Sequence, residues 1–551
     1  MINRRDFLIK SAILSSTGLF AKTSLPSELL FSMKPQEVLD ISPLRELKNF
    51  KGTTEILGDT PDEAHEIFWN KEGFIKRKGG LPAASKTYDV VIVGGGLAGL
   101  SSAYHLQDYK VLMLEGHPQL GGNARVEKYK DTYMSLGSAY VTIPEKDGFI
   151  EHYFKDIGVA DRFKVIPHKE HPIIFKGEFV KDFWSGQTDP SNKEDFKNVY
   201  SRLMSIKKNE YPELPLIPGS EINRSKLNAL DKLTLKEWVK KEFGEIHPHI
   251  QEYFHQYCWS SFSSAYDEIS AAQFLNFFTA DLAGTQALPG GNGMIASATY
   301  NKLRQNKNFT AQGKSFVADV RENDKGVSIS YYEQGVGLKT VQAKSCIFTA
   351  PKIVAKKIIE NIPKEQEKAM EEMNYHAYLV MNVLFKNKLE AKHYDVYSII
   401  GEVPTNEYED SKERVFSDIT YAHWANEKEA QKSAVTLYLP LPYAMAHQYL
   451  FSPALYSKYS KRVQAALEPF LTKSGKSWDD IEGLRLTRYG HSVAVANAGA
   501  IASGQLERAH QPIRNKIFFA NQDNWANPCF ETSYVVGAVA AYQATGRKLP
   551  V

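Results

Sequence analysis

Residues 90–100 read VVIVGGGLAGL. An apolar run gives way to three consecutive glycines, and a fourth follows three positions later. Thr87 to Val93 is β-branched and apolar, which predicts a strand buried on both faces. Gly94, Gly96 and Gly99 then fit G-x-G-x-x-G, with Leu97 and Ala98 between the last two. The stretch LSSAYHLQDY after them puts Leu100, Ala103, Tyr104 and Leu106 at helical spacing. A second apolar run, KVLMLEG, brings Glu115 to a point 21 positions after Gly94.

Each residue type has a physical reason to be there. Gly94 permits a tight turn. Gly96 lets the backbone approach a pyrophosphate with no side chain between, and Gly99 lets the helix pack closely on the strand. The helix N-terminus offers free N–H groups and the positive end of its dipole to the diphosphate. Glu115 is placed to accept hydrogen bonds from a ribose diol. The pattern therefore predicts an adenine dinucleotide. A second glycine pair, Gly121 and Gly122, and Arg125 follow in HPQLGGNARVEKY. That sequel is typical of FAD folds rather than NAD folds, with Arg125 facing the pyrophosphate.

Composition is that of a large globular chain. Of 551 residues 43% are apolar, 24% charged and 12% aromatic, enough for several domains or one interleaved pair. The net charge of +3 comes from 67 basic and 64 acidic residues scattered along the chain, which gives no footprint for nucleic acid. Cys258, Cys346 and Cys529 make no disulfide framework, have no metal-site spacing, and read as buried small apolar residues.

The N-terminus, MINRRDFLIKSAILSSTGLFAKTS, places Arg4 and Arg5 before a short, weakly apolar stretch. It resembles a twin-arginine export signal. That predicts a periplasmic or other extracytoplasmic destination, the twin-arginine translocase as a partner, and a cofactor bound before export. Leu19-Phe20-Ala21 matches a cleavage site poorly, so a retained N-terminal anchor stays open.

The chain divides as a signal segment (1–30), a polar lead-in without clear periodicity (31–85), and a first FAD-binding part (86–145). A mainly helical first substrate part (146–285), a second FAD-binding part (286–355), a second substrate part (356–485) and a third FAD-binding part (486–551) follow. The alternating segments after PGGNGMIASATYNKL suggest a small antiparallel sheet. The Lys/Glu-rich helical stretch at 190–245 reads as a solvated face. The fold class is α/β: a Rossmann-like FAD-binding domain of the glutathione-reductase/amine-oxidase type, interleaved with an α+β substrate domain.

Four pieces in order resemble the flavin-containing amine oxidase superfamily across most of residues 87–545. They are VVIVGGGLAGLSSAYHLQ with VLMLEGHPQLGGNAR, then PGGNGMIASA, then GKSFVADV with IFTAPKIVAKKI, and finally KIFFANQDNW with YVVGAVAAYQA. Within it, YCWSSFSSAYDEISAAQFLNFF (257–278) and DIEGLRLTRYGHSVA (480–494) resemble bacterial spermidine dehydrogenase and related exported oxidoreductases.

The resemblance implies roles. Val317 would hold adenine through its backbone. Ala350 and Pro351 would lie in a turn under the cofactor. Asp523 stands where a glutamate usually touches the ribityl chain, and Asn521 replaces a usual glycine. Val535 and Val536 would approach the flavin, and Gly537, Ala538 and Val539 would begin a final helix aimed at its N1–C2=O end. Tyr534 and Tyr489 would frame the substrate, with His491 nearby as the first candidate base. Many relatives carry a lysine near N5. Here that position falls among Leu379, Val380 and Met381, which tilts the expectation from oxygen towards another acceptor, such as a quinone or cytochrome.

The expected activity is oxidation of a small-molecule amine, a polyamine among the candidates, by hydride transfer from its α-carbon to flavin N5. The alternatives are a carotenoid-like lipid desaturase or isomerase of the same fold, or a flavoprotein without catalysis.

Overall fold

Thr87–Val93 is buried on both faces because two different cores close on it. Val91 and Val93 enter one apolar cluster, while Val90 and Ile92 enter another. On its flanks Val111–Leu114 and Gly337–Phe348 both pair with it in parallel. Such burial suits the continuous apolar run that encodes it.

The computed structural model describes residues 41–47, 54–59, 63–167, 171–218, 223–402, 415–441 and 452–549. The expected export signal and anchor lie outside the described residues. No described helix is long and apolar enough to cross a membrane.

Two large sheets carry the architecture. The first has seven strands, running Phe309–Gln312, Val111–Leu114, Thr87–Val93, Gly337–Phe348, Gly326–Glu333 and Ser315–Asn323, with Ile517–Phe519 also paired to Gly337–Phe348. The segments expected to form a small antiparallel sheet do pair antiparallel from Ser315–Asn323 to Gly337–Phe348, as one side of this larger sheet. Phe309–Gln312 lies parallel to Val111–Leu114, and the antiparallel strands continue from Gly337–Phe348.

The second sheet has eight strands in the order Glu178–Val180, Ile173–Phe175, Asp395–Ile399, Asp418–Tyr421, Ala434–Pro440, Tyr375–Phe385, Ile481–Ala494 and Thr54–Gly58. The lead-in is thus not irregular throughout: Thr54–Gly58 is an edge strand and Glu63–Arg77 a helix. The expected boundary at 485 also moves, because Ile481–Ala494 is one strand of this sheet.

Strand periodicity divides the second sheet into two unlike faces. On one face Leu379, Met381, Val383, Leu437, Leu484 and Leu486 pack with Val463, Leu467 and Leu471 of the helix Pro453–Lys473. Each buried leucine or valine contributes about 1.5–3 kcal/mol of apolar transfer. The opposite face carries Tyr378, Val380, Tyr438 and Tyr489, with Asp418 on the neighbouring strand. That face looks into the cavity described below. Ahead of it, Lys193–Asn209 turns Phe196, Val199, Leu203 and Ile206 inward and presents lysine and glutamate to water.

Candidate active site

A cavity of about 1590 Å³ lies between the two sheets. Its lining falls into two groups that differ in chemistry.

The first group comes from the seven-stranded sheet. Gly94 has φ of +109°, a backbone that favours glycine, and a Cβ there would stand 2.5 Å from Thr349 Oγ1. A Cβ on Gly96 would meet nothing closer than Gly122 Cα at 3.9 Å, so its open side faces the cavity. Gly99 lies off the cavity: a Cβ on it would stand 2.2 Å from Gly94 O, so helix and strand touch backbone to backbone. Gly96 caps the helix Leu97–Tyr104 without any side-chain hydrogen bond. Leu97 and Ala98, in its first turn, line the cavity. The helix therefore presents uncapped N–H groups where an anion would sit.

Gly121 N–H donates to Gly95 O at 2.7 Å, which lays the second glycine pair against the first. Gly122 lines the cavity beside them. Arg125 is 4% exposed and also lines it. Arg125 Nε donates to Gly122 O at 3.0 Å, and its guanidinium lies against the His117 ring. Burial and that guanidinium push His117 down to about 3, so its ring stays neutral. No carboxylate among the described residues forms an ion pair with Arg125. A buried cation without a fixed anion suits a pyrophosphate. Glu115 accepts N–H bonds from Gly95 at 2.8 Å and His117 at 2.7 Å. Burial pushes its carboxyl above the usual range. Its carboxylate keeps unused lone pairs for a diol. Val317 lines the cavity from Ser315–Asn323, just before a register shift in that strand. These residues fit an adenine dinucleotide.

Asp523 borders the cavity, but its carboxylate is largely engaged by the protein. Oδ2 accepts from Lys352 N–H at 2.8 Å and from Tyr375 OH at 2.7 Å, while Oδ1 pairs with Lys352 Nζ. Asp523 thus reaches the cavity where the ribityl contact was expected, with one lone pair left over from its structural bonds. Lys352 is fully buried behind the cavity, far in sequence from the positions 379–381 where a lysine is usual in relatives. Of those three positions, Val380 lines the cavity and the other two pack into the apolar core.

The final helix is a second correction. It runs Phe530–Ala544 with Cys529 as its cap, so Gly537 lies within it rather than at its start. A Cβ on Gly537 would stand 2.4 Å from Ala98 O, which explains the glycine as a packing contact between helices. Tyr534, Val535 and Val536 consequently face away from the cavity. The Tyr534 ring is 1% exposed among Tyr153, Phe149, His105 and Phe530. Pro528, Cys529, Phe530 and Ser533 line the cavity in their place. Cys529 is therefore no core thiol: its Sγ accepts the Thr532 N–H, while Cys258 and Cys346 are buried.

The second group comes from the polar face of the eight-stranded sheet. Tyr489 and His491 point to the cavity from Ile481–Ala494, and Tyr378 and Tyr438 join them from neighbouring strands. Each tyrosine hydroxyl donates to a backbone carbonyl: Tyr489 to Leu136 O at 2.7 Å, Tyr438 to Gly137 O at 2.6 Å, Tyr378 to Ser260 O at 3.0 Å. These bonds hold the rings in place along the cavity wall. Phe277, Ser260 and Asp418 complete this chamber. Tyr140 lines it too and donates its OH to Asp281 at 3.1 Å, while Tyr257 donates to the same carboxylate at 2.6 Å. Period-two alternation in 375–385 and 434–440 was the available signal for Tyr378 and Tyr438.

Two outcomes follow from this geometry. Gly99→Ala forces the helix off the strand, an overpacking of about 1–3 kcal/mol. FAD titrated into the deflavinated variant should bind at least about tenfold more weakly than to wild type; equal affinity would refute the close-packing account. Asp281 is half-buried, and desolvation pushes it up to about 7. A raised carboxyl favours the folded state only when protonated, so its charge becomes a liability as pH climbs from about 4 to about 7. Asp281→Asn should raise the apparent Tm at pH ~8 and leave it unchanged near pH ~4, with a ceiling of about 4 kcal/mol. A pH-independent difference would contradict the assignment.

The comparisons with known proteins agree with this arrangement. Residues 97–538 match the flavin-containing amine oxidoreductase family model. The oxidoreductase PigB of Serratia sp. (strain ATCC 39006) is 22% identical over 509 residues, covering 82% of this chain and 74% of its own. The 15-cis-phytoene desaturase of an Oncidium hybrid cultivar is 31% identical over 170 residues, which are 28% of each chain. A putrescine oxidase variant of known structure superposes with a TM-score of 0.60 at 14% identity, over 84% of this chain and 100% of its own. At that identity the superposition speaks for the fold. With its nucleotide cradle intact and the family match spanning both sheets, the chain belongs to the flavin-containing amine oxidoreductases and takes FAD as its cofactor.

Proposed function

We propose that this protein oxidises an amine, with a polyamine among the candidates, and does so after export. The observation that carries this reading is the chamber of fixed tyrosine rings with one carboxylate in its wall. Aromatic faces attract an ammonium group and exclude water.

Bound in the cradle of Gly94, Gly96, Glu115 and Arg125, FAD supplies the acceptor for the hydride that leaves the amine α-carbon. The chain's residues do the rest. Tyr378, Tyr438 and Tyr489 orient the substrate and keep its reacting carbon dry. Desolvation between them favours the neutral amine, whose lone pair assists loss of hydride. His491, on the same strand as Tyr489 and lining the same cavity, is the first candidate to take the ammonium proton. With no lysine among Leu379, Val380 and Met381, where many relatives carry one, an acceptor other than oxygen fits better, a quinone or cytochrome among them.

A likeness to spermidine dehydrogenase and related exported oxidoreductases supports the polyamine reading through segments 257–278 and 480–494. The rival is desaturation of a carotenoid-like lipid, which the phytoene desaturase likeness favours over a limited stretch. Buried Asp418 and the serine hydroxyl of Ser260 suit a charged substrate better than a hydrocarbon.

Anaerobic addition of monoamines, polyamines and amino acids to the FAD-loaded protein should bleach the flavin absorbance with at least one amine class. Bleaching by carotenoid-like lipids alone would favour the rival, and an inert flavin across the whole panel would remove the catalytic reading. Export has its own measurement. Changing Arg4 and Arg5 together to lysine should leave the folded protein in the cytoplasm on cell fractionation; unchanged periplasmic recovery would rule out the twin-arginine route.

A further inference from the structure

The polar face of the eight-stranded sheet holds more negative charge than the chamber needs for a simple amine. Asp418 lies in the cavity wall at 3% exposure. Asp395 sits on the adjacent strand, and the register pairs Asp395 with Thr420 and Tyr397 with Asp418. Strand alternation therefore puts Asp395, Asp418 and Thr420 on one face. The two carboxyl groups approach closely enough to share a proton. Burial raises both above the ordinary carboxylate range, and repulsion from Asp418 raises Asp395 further. Asp281 adds a third charge within electrostatic reach of Asp395.

Little in the protein answers this charge. Ser417 Oγ donates to Asp418, and Ser260 lies within hydrogen-bonding reach of it. No lysine, arginine or histidine among the described residues forms an ion pair with Asp281, Asp395 or Asp418; Lys207 only weakly offsets Asp281 from a distance. Thr420 Oγ1 is buried and finds no hydrogen-bond partner among the described residues, and the Asp395 carboxyl meets only another carboxyl, that of Asp418. Thr420 is 3% exposed, so water does not satisfy it from bulk. Unsatisfied buried polar atoms and unpaired carboxyls are each costly. Of these groups Asp418 lines the ligand cavity, and it points to a donor that arrives with the ligand. A metal ion is the less suitable donor, since no metal-holding group of His, Cys, Asp or Glu is found among the described residues. An alkylammonium is the better match: it carries one positive charge, several N–H donors and a methylene chain that suits Tyr378, Tyr438 and Phe277.

We propose that Asp418, with Asp395 behind it, receives the distal ammonium of a diamine or polyamine whose other amine is oxidised. The inference rests on the amine reading above and makes it specific: the substrate carries two charges. Asp281 acts at one remove, because it fixes the Tyr140 hydroxyl at the chamber wall.

The test compares diaminobutane, with an amine at each end, to pentylamine, in which a methyl group replaces the distal ammonium. Two readouts are taken on the FAD-loaded protein. One is the anaerobic rate of flavin bleaching against amine concentration. The other is calorimetric Kd on the dithionite-reduced holoenzyme, where binding occurs without turnover. Wild type should prefer the diamine at least tenfold in both. Asp418→Asn should erase most of that preference, Asp395→Asn should reduce it, and Asp418→Glu should restore part of it. Equal handling of the two amines by wild type, or a preference that survives both asparagine variants, would overturn the assignment of the pair while leaving amine oxidation in place. If neither these amines nor any other bleach the flavin, the amine reading itself falls and takes the proposal with it. Should one variant fail to fold, the wild-type Kd ratio still decides, since a ratio near one refutes the proposal.

Discussion

A single backbone contact sets the geometry on which the rest of the molecule depends. The helix Leu97–Tyr104 lies so close to the strand Thr87–Val93 that Gly99 has no room for a Cβ against Gly94 O. Only that approach aims the uncapped N-terminus of the helix across the glycine turn and into the cavity. The second glycine pair is laid on the first by the Gly121–Gly95 hydrogen bond, which brings Arg125 to the same spot. From the other side Gly537 repeats the device, letting the last helix rest on Ala98 O. Three close backbone approaches thus lock two helices and two loops around one site for an anion.

The second sheet solves a different problem. A strand shows two faces, and this sheet gives them opposite duties. Its leucine and valine face seals against the helix Pro453–Lys473 and supplies stability. Its tyrosine and aspartate face is left to the cavity. Buried carboxylates without cations weaken a fold, and a protein keeps them only where another pressure acts. Asp281, Asp395 and Asp418 are concentrated on this face and around it without cations, while the Asp523–Lys352 and Glu127–Arg485 pairs are internally matched. The contrast separates carboxylates paired with a cation from those without one.

How much of this the sequence revealed depended on how local the signal was. The strand, the glycine turn, the helix and Glu115 lie within 29 consecutive residues, 87–115, and each constrains the next, so the cradle could be read directly. The last helix was legible as a helix but not in its start. GAVAA is a strong helical run, yet FETSYVV before it is equally able to be helical once Cys529 caps it. Moving the start seven residues back turned Tyr534 into the aromatic core and brought Phe530 and Ser533 to the cavity. The structural bonds of Asp523 were not legible because its partners, Lys352 and Tyr375, are far away in sequence. The chamber was the least visible part. Tyr378, Asp418 and Tyr438 come from three strands, and their meeting is decided by sheet register, which no single segment encodes.

Everything rests on what occupies the glycine cradle. Denaturing the purified chain and identifying the released chromophore by chromatography measures this directly. The structure predicts FAD, one molecule per chain. A release of FMN, or a colourless protein that stays colourless after reconstitution with FAD, would contradict it.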